Sequence, residues 1–94
     1  MKSVWWLYVL RTRDGRLYTG ISTDVDRRLH EHQHSSRGAK ALRGRGPLTL
    51  LHSVAIGTRS AALKAEHRVK SIGKQRKEQL LKDPERFRSV VLDL

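Results

Sequence analysis

The sequence predicts an α+β fold, a layer arrangement with one small sheet in the order β-β-α-β-α-α. Three observations carry this expectation. Two β-rich runs, WLYVL and RLYTGI, are separated by an Asp14-Gly15 turn, and Asp-Gly between strand-like runs is a strong hairpin signal. A third apolar run, LTLLHSVAI, ends at Gly57. The other long stretches repeat apolar residues at i, i+3 and i+4, the period of a helix packed on one side.

Taken in order, Val4 to Leu10 and Arg16 to Ile21 form the hairpin. Thr23 starts the first helix, with Asp26 three residues on completing a capping box. Along DVDRRLHEHQH the spacing places Val25, Arg28, Leu29 and His32 on one stripe. Ser35 to Pro47, rich in glycine and base, is an exposed loop with room for a helical turn around Ala39 to Leu42. Leu48 to Ile56 is the third strand. Thr58 to Ile72 is a helix whose apolar stripe is Ala62, Ala65, Val69 and Ile72, with Glu66 at its border. Gly73 breaks it, KQRKEQLLKD makes a shorter helix, and Pro84 opens a final segment through Phe87 to Val91.

The chain of 94 residues contains no cysteine, which excludes disulfides, thiolate metal sites and thiol nucleophiles. Its length sets the expectation of one domain, residues 1–94. The first apolar run is too short for a membrane span and lacks a signal-peptide cleavage pattern, so the expected location is the cytoplasm. Twenty Lys and Arg against nine Asp and Glu leave a net charge of +11. A field of that sign favours a polyanionic partner, DNA or RNA, bound in a salt-dependent way.

Few residues stand out chemically. Arg28 and Glu66 each adjoin a packing face, where a charge is either partnered or extends along the face to solvent. Tyr8 and Tyr18 lie on paired strands, where aromatic residues are common as packing. His30 and His34, at i and i+4 in HEHQH, form a weak zinc pattern with no further ligands beside it. There is no glycine-rich phosphate loop and no G-x-S-x-G elbow.

The run WLYVL…LYTGIS…DRRLHEH…AALKAEHRVK resembles the GIY-YIG nuclease domain over essentially the whole chain, with the elements in that family's order and spacing. Trp6-Leu7-Tyr8 matches the GIY element and Tyr18-Thr19-Gly20 the YIG element. More narrowly, LYTGISTDVDRRLHEHQ, GAKALRGRGPLTLL and ALKAEHRVK are similar to the small stand-alone bacterial members of the YhbQ-like branch.

The resemblance implies a small three-stranded antiparallel sheet flanked by helices, the GIY-YIG fold, and a metal-dependent phosphodiester hydrolase acting on DNA, with structured or damaged DNA in repair or recombination as its setting. One divalent ion, Mg²⁺ or Mn²⁺, would be held by Glu66. Arg28 would fork onto the phosphate and stabilise transition-state charge. Tyr18 would orient or deprotonate the attacking water, Tyr8 would hydrogen-bond beside it, and His32 would be a proton-handling partner. Gly20 would permit close backbone approach to the phosphate.

The sequence departs from the family pattern in three places. Trp6 stands where the GIY element has glycine, Ile21 stands where many members have lysine after YIG, and the chain contains no asparagine. Lys40, Arg43 or Lys74 would then supply charge, and Lys74 lies in the region of the usual asparagine. With Arg45, the basic loop would grip phosphates without reading sequence. The departures motivate a second reading, a basic module that binds DNA or RNA without cleaving it.

Overall fold

A computed structural model describes residues 3–34 and 37–93. Ser35 and Ser36, which open the expected basic loop, lie outside the described residues. Strands β1 (Trp5–Arg11), β2 (Leu17–Ser22) and β3 (Thr49–Gly57) form one antiparallel sheet in the order β2-β1-β3. Helix α1 (Val25–His34) follows the hairpin, a short 3₁₀ turn spans Lys40–Leu42, and α2 (Arg59–Lys70), α3 (Lys74–Leu81) and α4 (Pro84–Val91) complete the chain. The expected β-β-α-β-α-α order is observed, and the segment that Pro84 opens is itself a helix.

The hairpin forms around residues 12–16. Thr12 N donates to Arg16 O at 2.9 Å and Gly15 N donates to Thr12 O at 3.0 Å, with Gly15 at φ +86°. Helix α1 begins later than the Thr23 capping box predicts. Asp24, not Thr23, is the cap: its Oδ1 accepts from Arg27 N at 3.0 Å. Ser22 Oγ accepts from Asp24 N and donates to Asp24 O, each at 3.0 Å, and this turn carries the chain past Thr23 before the helix can start. Thr58 caps α2 by accepting from Ala61 N at 3.1 Å, and Asp83 caps α4 by accepting from Arg86 N at 3.2 Å.

Because strand side chains alternate, β1 divides the core in two. Leu7 and Val9 face one way, into a cluster with Val54, Ala65, Val69, Leu80, Phe87 and Val91. Helices α2, α3 and α4 supply that side. Tyr8 and Leu10 face the other way and pack with Leu42 and Leu48, bordered by Tyr18, Val25, Leu29 and Ala39. The first side holds the larger apolar core. The second is a smaller cluster built around a tyrosine.

Two polar links join the sheet and helices on the larger side. Arg11 meets Glu78 of α3 through two parallel bonds, 2.8 Å to Oε2 and 2.6 Å to Oε1, a charge-assisted fork that holds the Glu78 carboxyl below its ordinary range. Arg68 of α2 donates from Nη2 to Val91 O of α4. Between strand and helix lies His52, its ring edge-on to Phe87 at 5.1 Å and its buried Nε2 without a partner among the described residues.

Burial keeps the His52 imidazole below its ordinary value of 6.5, and burial with the Arg28 charge does the same for His32. Just below pH 6.5 the unfolded chain therefore binds protons that the native chain does not, so stability falls as pH falls through that window. The melting temperature is expected to drop between pH 7.5 and 5.5, before carboxylates titrate, and to drop less in His52→Leu. Equal drops in the two proteins would refute the assignment to His52.

Candidate active site

The β1–β2 register sets Tyr8 opposite Gly20 and Leu10 opposite Tyr18. Directly opposed residues share a face, and so do i and i+2 on one strand. Tyr8, Tyr18 and Gly20 therefore lie on the same side of the sheet. The two tyrosine rings sit 6.4 Å apart between centroids. His32, buried on α1, completes a triangle at 6.1 Å from Tyr8 and 5.4 Å from Tyr18.

Gly20 is required by close approach. A Cβ built there would lie 2.5 Å from the Tyr8 hydroxyl and 2.6 Å from its Cζ. The space a side chain would take is occupied by the phenol. Its role in the structure is to admit Tyr8, whose side chain is 1% exposed.

His32 has a defined hydrogen-bonding state. Its Nδ1 accepts from the backbone N–H of Ala39 at 2.9 Å, and its Nε2 lies 2.9 Å from the Tyr8 hydroxyl. An imidazole whose Nδ1 accepts carries its proton on Nε2, so His32 donates to the Tyr8 oxygen. The Tyr8 hydroxyl proton is then left for another acceptor. Gly38 holds the loop against this helix, since a Cβ there would stand 2.6 Å from His32 Cα and 2.7 Å from Glu31 O.

The charged pair is arranged around these rings. Arg28, 30% exposed at its side chain, donates from Nη1 to Glu31 Oε1 at 3.1 Å and to Arg37 O at 2.9 Å. Its charge acts on Tyr8, Tyr18 and His32. Glu66, 20% exposed, meets Lys70 Nζ at 3.5 Å and acts on both tyrosines. Burial dominates for each phenol and raises its pKa. Glu66 raises both further, while Arg28 opposes. Phenols in this setting are held protonated unless another cation arrives.

The structure thus brings together Tyr8, Tyr18, Gly20, Arg28 and His32, and the charge of Glu66 reaches both phenols from α2, whose buried stripe packs on the other face. The other basic residues singled out in the sequence are dispersed. Lys40 and Arg43 are exposed at the 3₁₀ turn, and Arg45 bonds Asp14 Oδ2 at 2.9 Å. Lys74 begins α3, whose Leu80 packs into the Leu7 and Val9 cluster on the opposite side of the sheet from the tyrosines. His30 and His34 lie with tilted rings 4.7 Å apart on the exposed part of α1, and no group of three possible metal ligands exists among the described residues. Sequence reasoning passed over Glu31, Gly38 and the Ala39 amide. A glycine shortly after a helix was the one available sign, because a backbone donor has no signature in residue type.

A tyrosine pair shares one sheet face, and an arginine and a glutamate from separate helices act on it. Residues 4–79 match the model of the GIY-YIG catalytic domain. The chain belongs to the GIY-YIG family. It is 52% identical over 90 residues to UPF0213 protein YhbQ of Escherichia fergusonii and of Escherichia coli strain K12, covering 96% of this chain and 89% of each relative. Solution NMR structures of a UPF0213 protein from Bacillus halodurans and of a protein from E. faecalis are similar, with TM-scores of 0.55 and 0.57 at 40% and 37% identity. The first similarity covers 84% of this chain and 83% of the other, the second 86% of each.

GIY-YIG domains form a nuclease superfamily that generally uses a divalent metal, which implies a nucleic-acid substrate. Among the described residues no helix is long and apolar enough to cross a membrane. The donors present suit such an ion: a single half-buried carboxylate, Glu66, matches the way Mg²⁺ binds through one or two carboxylates with water and substrate phosphate filling the remainder.

Two outcomes follow from this GIY-YIG geometry. Gly20→Ala is expected to cost about 1–3 kcal/mol, because a methyl group must displace the Tyr8 ring; a melt unchanged from the native chain would contradict the packing. In ¹⁵N NMR, His32 is expected as the Nε2–H tautomer, and an Nδ1–H signal would overturn the assigned hydrogen bonds.

Proposed function

We propose that the chain is a metal-dependent nuclease acting on DNA, with residues 1–94 as one such domain in the cytoplasm. The observation that carries this reading is that Tyr8 and Tyr18 share a sheet face while the charges of Arg28, from α1, and Glu66, from α2, both reach their phenols, in a chain of net charge +11. Phosphodiester hydrolysis needs an oriented water, charge stabilisation at the phosphate, and a way to hold a polyanion. Structured or damaged DNA, in repair or recombination, is the substrate class this reading favours.

Glu66 would hold Mg²⁺ or Mn²⁺, and the ion supplies charge neutralisation at the scissile phosphate and leaving oxygen. Arg28 is suited to the phosphate: Glu31 and the Arg37 carbonyl hold its guanidinium through Nη1, it also bonds the Tyr8 side chain, and a guanidinium fork with five N–H donors matches phosphate oxygens. Tyr18 orients the attacking water. Its hydroxyl makes no hydrogen bond among the described residues, whereas that of Tyr8 is already an acceptor for His32. Deprotonation of Tyr18 works against its burial and depends on nearby cations, of which Arg28 is one.

Tyr8 stays a phenol and donates its free proton toward the water or phosphate. His32 acts as the donor that positions Tyr8; its Nε2 already carries a proton and its Nδ1 is engaged by Ala39. The basic loop and Lys40, Arg43 and Arg45 supply phosphate contacts that hold the strand without reading it. Lys74, on α3, contributes to the field at longer range.

A second reading rests on Ile21 and on the absence of asparagine: a module that binds DNA or RNA without cutting. A panel of flaps, nicks, junctions and single strands, assayed with Mg²⁺ and Mn²⁺, separates the two. Cleavage by the native chain is expected, with losses of about 10²–10³ in rate for Arg28→Ala and for Glu66→Ala. Tyr18→Phe is expected to lose about 10²–10⁴. Salt-sensitive binding without cleavage, unchanged by Glu66→Ala, would establish the binding module instead.

A further inference from the structure

A second cationic cluster lies beside Tyr18, where the hairpin turn meets the basic loop. Arg16 and Arg45 are far apart in sequence but converge on one atom. Arg16 Nε stands 3.3 Å and Arg45 Nη1 2.9 Å from Asp14 Oδ2. Asp14 is held in turn by Thr12, whose hydroxyl donates to Oδ1. The Thr12 hydrogen bond, with the two guanidinium charges, keeps the Asp14 carboxyl ionised below its ordinary range. The backbone fixes the same junction, since Arg13 N donates to Arg45 O at 2.9 Å.

This junction encloses a cleft of about 180 Å³ lined by Thr12, Arg16, Tyr18, Leu42 and Arg45 among others. We propose that the cleft is a phosphate subsite of the substrate strand, taking the sugar-phosphate next to the position cleaved at the tyrosines. The proposal rests on the nucleic-acid reading above and deepens it. Three features support it.

The first is charge. Two guanidinium groups against one carboxylate leave one positive charge in surplus, equal and opposite to a phosphodiester. Each guanidinium has five N–H donors, and Asp14 engages few of them. Neutralising Asp14 alone would need a single arginine. The second is size. The cleft is smaller than the 300–1,000 Å³ usual for free small molecules, so it suits a fragment of a polymer held elsewhere as well. Buried Leu42, 2% exposed, offers an apolar wall for the carbon face of a sugar. The third is continuity. Tyr18 lines this cleft and also belongs to the ring triangle with Tyr8 and His32, so one strand passing Tyr18 reaches both places.

The test uses the full chain and a 20-base-pair DNA duplex, with binding measured over a salt series in EDTA so that cleavage plays no part. Each phosphate contact contributes about 0.9 to the slope of log affinity against log salt. Arg16→Gln with Arg45→Gln is expected to lower that slope by about one and weaken binding at least tenfold. Arg76→Gln with Arg86→Gln, an equal loss of charge on α3 and α4, is expected to weaken it less than threefold. Arg16→Lys with Arg45→Lys keeps the charge and is expected to keep the slope; it serves as the comparison if the glutamine variant melts early. In ¹⁵N spectra, inorganic phosphate is expected to shift the Arg16 and Arg45 Nε–H signals saturably. Indistinguishable slopes for the two glutamine variants, or phosphate shifts spread evenly over all arginines, would overturn the subsite. Binding that passes these tests in a chain that never cleaves would remove the nuclease reading and leave the subsite standing.

Discussion

One steric fit governs the tyrosine side of this protein: the Tyr8 phenol occupies the volume that any side chain at position 20 would need. The fit exists only if β1 and β2 pair so that Tyr8 stands opposite Gly20. A slip of one residue would turn every side chain of β2 to the other face. With the ring seated, its oxygen is placed to accept from His32, and His32 in turn fixes the Ala39 amide and the loop. Sheet register, helix α1 and the basic loop are therefore coupled through one phenol. The hydrogen bonds along this path set direction as well as position, because each donor is defined by the one before it.

The scarce carboxylates organise the abundant bases. Glu31 holds Arg28 and reaches Arg27, Glu78 takes Arg11 as a fork, and Asp14 gathers Arg16 and Arg45. Exposed pairs of this kind add little to stability, typically 0–1 kcal/mol each. Their larger effect is to restrict where guanidinium groups sit, which lowers the entropic cost when a phosphate arrives. A chain with +11 and no such ties would still attract a polyanion, but with mobile charges spread over its surface. Glu66 is different, since its partner Lys70 is itself more than half exposed and a weak competitor for a metal ion.

Much of the architecture was legible because it depends on local chemistry. Asp14-Gly15 marks the hairpin, and the spacing of Ala62, Ala65 and Val69 marks the buried stripe of α2, all three of which are fully buried. The cap of α1 was misplaced by one residue because Ser22 bonds to Asp24 and delays the helix, an interaction that residue type does not announce. The family pattern pointed to Tyr8, Tyr18, Arg28, His32 and Glu66 as a group. It did not reveal that Gly20 accommodates a tyrosine, nor that Lys74 begins a helix on the far side of the sheet.

By itself, the sequence determined the kinds and order of the elements, the strong positive field, and the exclusion of thiol chemistry. These follow from composition and from periodicities of two and 3.6 residues, which need no long-range contact. The tertiary structure alone decided which groups meet. Tyr8 and Tyr18 share a face because of strand register, and Arg28 and Glu66 act on both from different helices. His32 is a donor because a backbone amide seven residues later occupies its other nitrogen. Arg16 and Arg45 converge because a turn and a loop close on one carboxylate. Such relations depend on packing between segments distant in sequence, and no local pattern encodes them.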